Sequence, residues 1–147
     1  MPAGPQLTQP VAFKYTKPEI TKDKTIARLC RSDIMYASVQ VIAKGGENNM
    51  HAHTAQDGFW MVLHGRAKFY GEGDVLVADL GPNEGVMVPR GVQYWFESSS
   101  PEILEILQVE SIDKTIKNMR VDYKPRVEGR SGNSPDNVAE YTNTLKT

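Results

Sequence analysis

Residues 25–110 consist of short apolar runs separated by residues that favour turns. The runs VLVADL, VMVP, VQYWFE and ILEILQV follow GEGD, GPNEG, RG and SSSPE, respectively. β-Branched and aromatic side chains favour strands, whereas Gly, Pro, Asn and Asp supply the backbone angles of tight turns. We expect about seven or eight strands with no helical insert, which is typical of an antiparallel sandwich or barrel.

The period within these runs also indicates strands. In IMYASVQVIA, Val39 and Val41 fall on one face, and Ser38 and Gln40 fall on the other. This alternation predicts a strand that is buried on one face only. The runs FWMVL and AKFY on either side of HGR predict a hairpin over residues 59–70.

The two ends of the chain differ from this middle part, which we take as one domain over residues 25–110. Residues 1–24 contain four prolines and few apolar side chains, so we expect an arm, with an edge strand at VAFKY. Within residues 111–147, SIDKTIKNM can form a helix of about two turns that begins at Ser111. The polar remainder predicts a tail that is disordered or lies over a partner.

Charge and composition argue against several classes of partner. Lys and Arg number 17 against 18 Asp and Glu, the net charge is −1, and no basic block occurs. We therefore expect neither nucleic acid nor a membrane as a partner. The first residues, MPAGPQLTQP, lack the pattern of a signal peptide, which predicts a cytoplasmic protein. Cys30 is the single cysteine, and we interpret it as a packing residue.

Two of the three histidines, His51 and His53, lie one residue apart at the expected start of a strand. Residues two apart on a strand point to the same side, so both imidazoles can face one metal ion. Imidazole is a common ligand of transition metals. The alternative is a pair of exposed histidines without a function. His64 precedes a glycine at a strand end, and we do not place it in a site.

The surroundings of the pair resemble the motifs of the cupin superfamily. The first motif of that family reads Gly, five residues, His-x-His, three or four residues, Glu, six residues, Gly. Gly45, His51, His53 and Gly65 occupy its positions, and residues 89–91 (PRG) match the Pro-x-Gly of the second motif. The resemblance implies an all-β double-stranded β-helix, a jelly-roll barrel. For small cupins it also implies a homodimer through edge strands and N-terminal arms.

The resemblance is incomplete at the metal ligands. Gly58 stands at the position of the family's Glu, Tyr94 at that of its last His, and Ser98 at that of its Asn. Asp57, Gln56 or the Tyr94 phenol could replace the missing ligands. The resemblance thus implies one divalent transition metal, Fe, Mn, Ni or Zn. The candidate metal ligands are His51, His53, Asp57 and Gln56.

Gly58 also leaves space beside aromatic residues. If the histidines point inward, then Trp60 and Val62 point inward with position 58, whereas Phe59 and Met61 point outward. Together with Tyr94 and Phe96, Trp60 would form a pocket for a flat or partly apolar ligand, although such aromatics often serve only as core. The candidate ligand-binding residues are Trp60, Tyr94 and Phe96.

Three functions remain open from the sequence, all involving a small organic molecule inside the barrel. The first is a metal-assisted oxygenase, isomerase or lyase that uses His51 and His53. The second is a metal-free isomerase or cyclase in which His53 and Tyr94 are the catalytic acid and base. The third is a non-catalytic binding or sensing module.

Overall fold

The computed structural model of the chain describes residues 4–46 and 49–124, and the backbone of residues 138–142. These residues form eleven strands and one short 3₁₀ turn at Glu72–Asp74. The all-β class expected from the sequence is therefore confirmed. In chain order the strands are β1 Lys24–Arg31, β2 Met35–Ile42, β3 His51–His53, β4 Gln56–His64, β5 Ala67–Gly71, β6 Val75–Leu80, β7 Gly85–Val88, β8 Trp95–Ser98, β9 Leu104–Ile112, β10 Arg120–Asp122 and β11 Val138–Thr142.

The strands form three hydrogen-bonded sheets. The largest has the order β11-β1-β2-β9-β4-β7, a second has the order β6-β5-β8, and β10 pairs with β3. All of these pairs are antiparallel except β1 with β11. Residues 138–142 of the predicted tail thus belong to a strand, and residues 125–137 and 143–147 lie outside the described part of the chain.

The main core lies between the six-stranded and the three-stranded sheets. It combines Trp60 of β4 and Ile106 of β9 with Phe69 of β5 and Phe96 of β8, all at most 1% exposed. The Phe96 ring lies 5.0 Å from that of Trp60 and 4.9 Å from that of Phe69, between centroids. Burying each such side chain contributes roughly 1.5–3 kcal/mol, so this aromatic contact holds the two sheets together.

A second apolar cluster covers the other face of the six-stranded sheet. Tyr15 and Ile20 of the arm pack against buried residues of β1 and β2 such as Val39. The Tyr15 hydroxyl donates a hydrogen bond of 2.5 Å to Glu105, and burial followed by this contact raises the pKa of Tyr15 above its usual range. Consequently β2 is buried on both faces, not one. The expected strand at VAFKY is reduced to a single bridge residue, Phe13.

The alternation predicted for β4 is confirmed, but the predicted hairpin is wrong. Trp60 and Val62 are fully buried, and Phe59 is exposed. However, β4 pairs with β7 and β9, whereas β5 pairs with β6 and β8. Gly65, with a φ of 82°, lies so close to Ile103 that a Cβ would be 2.7 Å from its carbonyl oxygen. The HGR turn therefore carries the chain from one sheet to the other.

The helix predicted over residues 111–119 is also wrong. The first two residues belong to β9, and the others form turns and irregular chain. The Asp113 carboxylate accepts hydrogen bonds from the backbone N–H and the hydroxyl of Thr115, and the Thr54 N–H donates to the Met119 carbonyl. A helix of about two turns is only marginally stable by itself, so these contacts determine the conformation of the segment instead.

Within the described residues, no helix has the length and apolarity needed to cross a bilayer.

Candidate functional site

The histidine pair lies on β3, against the chain that leads into β8. His51 is fully buried, and its backbone exchanges two hydrogen bonds with Tyr94, of 3.1 and 2.9 Å. The His51 ring lies 4.5 Å from the Tyr94 ring and 5.2 Å from the His53 ring, between centroids. The structure therefore brings both predicted histidines together with Tyr94.

A backbone contact fixes the tautomer of His51. Its Nδ1 lies 2.8 Å from the carbonyl oxygen of Asn49. Because a carbonyl only accepts hydrogen bonds, Nδ1 carries the proton, and Nε2 is the basic nitrogen of the neutral ring. Metal-binding histidines commonly have this arrangement, and so do histidines that accept a proton.

A carboxylate that the sequence did not predict lies across from Gly58. The pairing of β4 with β9 places Glu110 directly opposite Gly58, and Glu110 is 5% exposed. Directly opposite residues share one face of a sheet, so the Glu110 side chain lies on the face of the missing family carboxylate. A cavity of about 10 Å³ occupies this region. Its lining residues are His53, Gln56, Gly58, Val88, Pro89, Val92, Tyr94 and Glu110.

A row of four side-chain amides, three buried and one half-buried, leads to this carboxylate from both sides. The side-chain N–H groups of Gln56 and Gln108 donate to its two oxygens. Asn118 in turn donates to the Gln56 carbonyl oxygen at 2.9 Å, and Gln40 donates to that of Gln108 at 2.8 Å. All four amides thus present N–H groups in the direction of Glu110, an orientation that stabilises a carboxylate anion.

Asp57 takes part in a different set of contacts. Its carboxylate accepts hydrogen bonds from the backbone and the guanidinium of Arg90, at 2.8 and 3.1 Å. The same guanidinium lies 3.9 Å from Asp113. The Thr115 hydroxyl and backbone N–H lower the pKa of the Asp113 carboxyl, with a further contribution from Arg90. Asp57 and Arg90 therefore belong to a partly exposed ion-pair group.

The contacts of the candidate metal ligands do not match a site in which three or four protein side chains hold a metal ion. Within residues 4–46 and 49–124, no three His, Cys, Asp or Glu side chains are arranged to hold an ion. Asp57 is bound to Arg90, and Gln56 to Glu110 and Asn118. Two imidazoles alone hold a divalent ion weakly, so the described donor set does not fit the metal that the family implies.

A second, larger cavity adjoins the small one. It measures about 70 Å³, and its lining is mainly apolar. Val88, Pro89, Val92 and Tyr94 line both cavities, so the polar and apolar spaces are neighbours. The remaining lining residues are Phe69, Tyr70, Val77, Val86, Met87 and Gln93.

The three predicted ligand-binding aromatics have different positions. Tyr94 lines both cavities, whereas Trp60 and Phe96 are core residues with no exposed surface. A Cβ on Gly58 would lie 3.1 Å from the Trp60 Nε1, so the indole fills part of the space beside that glycine. His64 lines neither cavity; it is half exposed, and its Nδ1 lies 2.9 Å from the Ile103 carbonyl oxygen.

Comparisons with known proteins agree with this architecture. A model of the cupin domain family matches residues 38–110, and no curated protein matches the sequence. A cupin superfamily protein from Desulfitobacterium hafniense has 21% identity and a TM-score of 0.56, over 67% of this chain and 84% of its own. KdgF from Halomonas sp. has 15% identity and a TM-score of 0.59, over 72% and 96%.

A third solved structure, a Klebsiella pneumoniae protein with a double-stranded β-helix domain, has 15% identity and a TM-score of 0.59, over 76% of this chain and 92% of its own. At these identities the similarity concerns the fold and not the activity. The match of the cupin family model to residues 38–110 shows that this chain belongs to the cupin superfamily, and the fold that it shares with these solved structures agrees with that.

Proposed function

We propose that this cupin binds a small organic molecule with one polar group and an apolar body in its two neighbouring cavities. The observation that carries the proposal is their common lining at Val88, Val92 and Tyr94. A ligand with its polar group beside His53 would place its body against Phe69 in the larger cavity. A mainly apolar space with a few polar groups at one end is typical of small-molecule sites.

The proposal is tested by blocking the shared lining. Val92 is 47% exposed, so Val92→Trp can fill the cavities without disturbing the core. Val75→Trp is the matched control, since Val75 is 63% exposed and lines neither cavity. With toluene as the probe, we expect backbone NMR shifts near Tyr94 in the wild type and in the control, but not in Val92→Trp. Absence of these shifts in the wild type would disprove the proposal.

A second candidate function is acid–base catalysis on the bound molecule. His53, Tyr94 and Glu110 line the same small cavity, and these groups can donate or accept protons. This candidate predicts exchange of a ligand C–H with deuterium from the solvent that survives a chelator. The exchange should be lost in His53→Ala and Tyr94→Phe. A ligand that is recovered without exchange favours a binding or sensing module instead.

The metal-assisted function depends on His51 and His53 and makes the opposite prediction for the chelator. Loss of exchange in chelator, with recovery on addition of iron, manganese, nickel or zinc, would favour this function over metal-free catalysis.

We also propose that the protein is a homodimer and that it is located in the cytoplasm.

A further inference from the structure

We infer that the small cavity recognises a hydroxyl group of the ligand, which accepts a hydrogen bond from the Trp60 indole and donates one to the Glu110 carboxylate. The inference rests on the proposed function, because it names the polar group of the ligand bound there. Gly58 makes the arrangement possible, because a side chain there would lie beside the Trp60 Nε1 and opposite Glu110.

The donor in this arrangement is a buried N–H. Trp60 has no exposed surface, and its Nε1 has no hydrogen-bond partner among the described residues. Buried donors in native proteins almost always have an acceptor, which is a protein group, a water or a ligand. Nε1 lies 3.1 Å from the place of a Cβ on Gly58, and Gly58 lines the small cavity. An oxygen atom in the cavity beside Gly58 could therefore accept this hydrogen bond.

The acceptor lies on the facing strand. Glu110 is opposite Gly58 in the register of β4 and β9, and its oxygens receive the amide N–H groups of Gln56 and Gln108. Glu110 also lines the small cavity, so a ligand group there can reach its carboxylate, which only accepts hydrogen bonds. The polar group of a ligand at Gly58 would thus meet an N–H on one side and a carboxylate on the other.

Only some polar groups satisfy both sides at once. A carbonyl oxygen would accept from Trp60 but would place its lone pairs against the Glu110 carboxylate. An ammonium group would donate to Glu110 but offers no acceptor to the Trp60 N–H. A hydroxyl both accepts and donates. The volume of the small cavity also agrees with a hydroxyl, because about 10 Å³ holds roughly one water-sized oxygen. The carbon skeleton of the ligand must therefore extend into the larger cavity.

Phenol and toluene provide the test, because they differ by a hydroxyl in place of a methyl group of similar size. We expect phenol to bind the wild type about tenfold more tightly than toluene in NMR titrations, as for a hydrogen bond to a charged group. The preference should fall to about twofold or less in Trp60→Phe and in Glu110→Gln. Trp95→Phe is the matched control, because Trp95 is a partly exposed residue that donates to Asp74 and should leave the preference unchanged.

A second readout does not depend on the stability of the variants. The indole N–H signal of Trp60 in the wild type should shift on addition of phenol and much less on addition of toluene. Equal affinities of the wild type for the two probes, or equal indole shifts, would overturn the inference while toluene binding still supports the proposed function. If neither probe binds, the proposed function fails as well.

Discussion

Gly58 and Glu110 face each other across β4 and β9. In the family pattern a glutamate occupies the first of these positions, and here a glycine does. The carboxylate of this chain comes instead from the opposite residue, on the same face of the sheet. Its two oxygens accept hydrogen bonds from the side-chain amides of Gln56 and Gln108.

The amide contacts make a prediction about single substitutions at Glu110. Glu110→Ala would leave the N–H groups of Gln56 and Gln108 buried without their acceptor, at a cost of about 1–3 kcal/mol for each such group. We expect urea unfolding to show a loss of about 2–4 kcal/mol. Glu102→Ala, at an exposed side chain, should change stability by less than about 0.5 kcal/mol. Equal effects of the two variants would contradict the role of the network.

The alternation of residues in β9 indicated a buried polar position at Glu110, but the comparison with the family motifs pointed to other residues. In LEILQVE, Leu104, Ile106, Gln108 and Glu110 alternate on one face, and the first two are core residues. Polar residues that continue a core-facing period on a strand indicate a buried polar site. Attention to the position of the family's glutamate led instead to Asp57, because the sequence does not show which strand lies opposite Gly58.

At the scale of elements, local patterns predicted the strands but not their partners. The period of two in β4 correctly separated buried Trp60 from exposed Phe59. Pairing depends on residues far apart in the chain, as in β4 with β9, and no local pattern contains that information. The helix predicted over residues 111–119 failed for a similar reason, because contacts with Thr54 determine the path of that segment.

Thr54 gives the element-scale prediction. Its hydroxyl accepts a hydrogen bond from the Met119 N–H at 2.8 Å and donates one to the Lys117 carbonyl at 2.6 Å. Thr54→Val keeps the shape but removes both bonds, so we expect a loss of about 1–2 kcal/mol. Thermal unfolding should show a decrease in Tm of about 2–8 °C for a chain of this size.

The control for Thr54 is a hydroxyl in the exposed turn of the same segment. Thr115→Val removes a hydrogen bond to Asp113 and should lower Tm less than Thr54→Val does. Thr54→Val should also weaken toluene binding, because the segment it holds includes Asn118, which donates to Gln56 in the cavity wall. A larger effect from Thr115→Val would show that the segment is held mainly by its own turn.

At the scale of the whole molecule, the larger cavity lies between two edge strands. β6 is an edge of the three-stranded sheet and β7 an edge of the six-stranded sheet, and each contributes to the cavity lining. Two of the contributing side chains are themselves exposed, Val77 by 59% and Met87 by 65%. Exposed apolar edge strands favour association with a second chain. A homodimer formed here would cover the entrance that a ligand uses.

Met87→Lys tests this assembly, because a lysine on an edge strand opposes pairing with another edge. By light scattering after size-exclusion chromatography, we expect a dimeric wild type and a monomeric variant. Met35→Lys is the matched control: Met35 is 50% exposed at the start of β2, away from both edges, and its variant should remain dimeric. Because Met87 lines the larger cavity, Met87→Lys should also weaken toluene binding whether or not a dimer forms, whereas Met35→Lys should not. A monomeric wild type would contradict the homodimer, and a dimer that persists in Met87→Lys would show that the interface lies elsewhere.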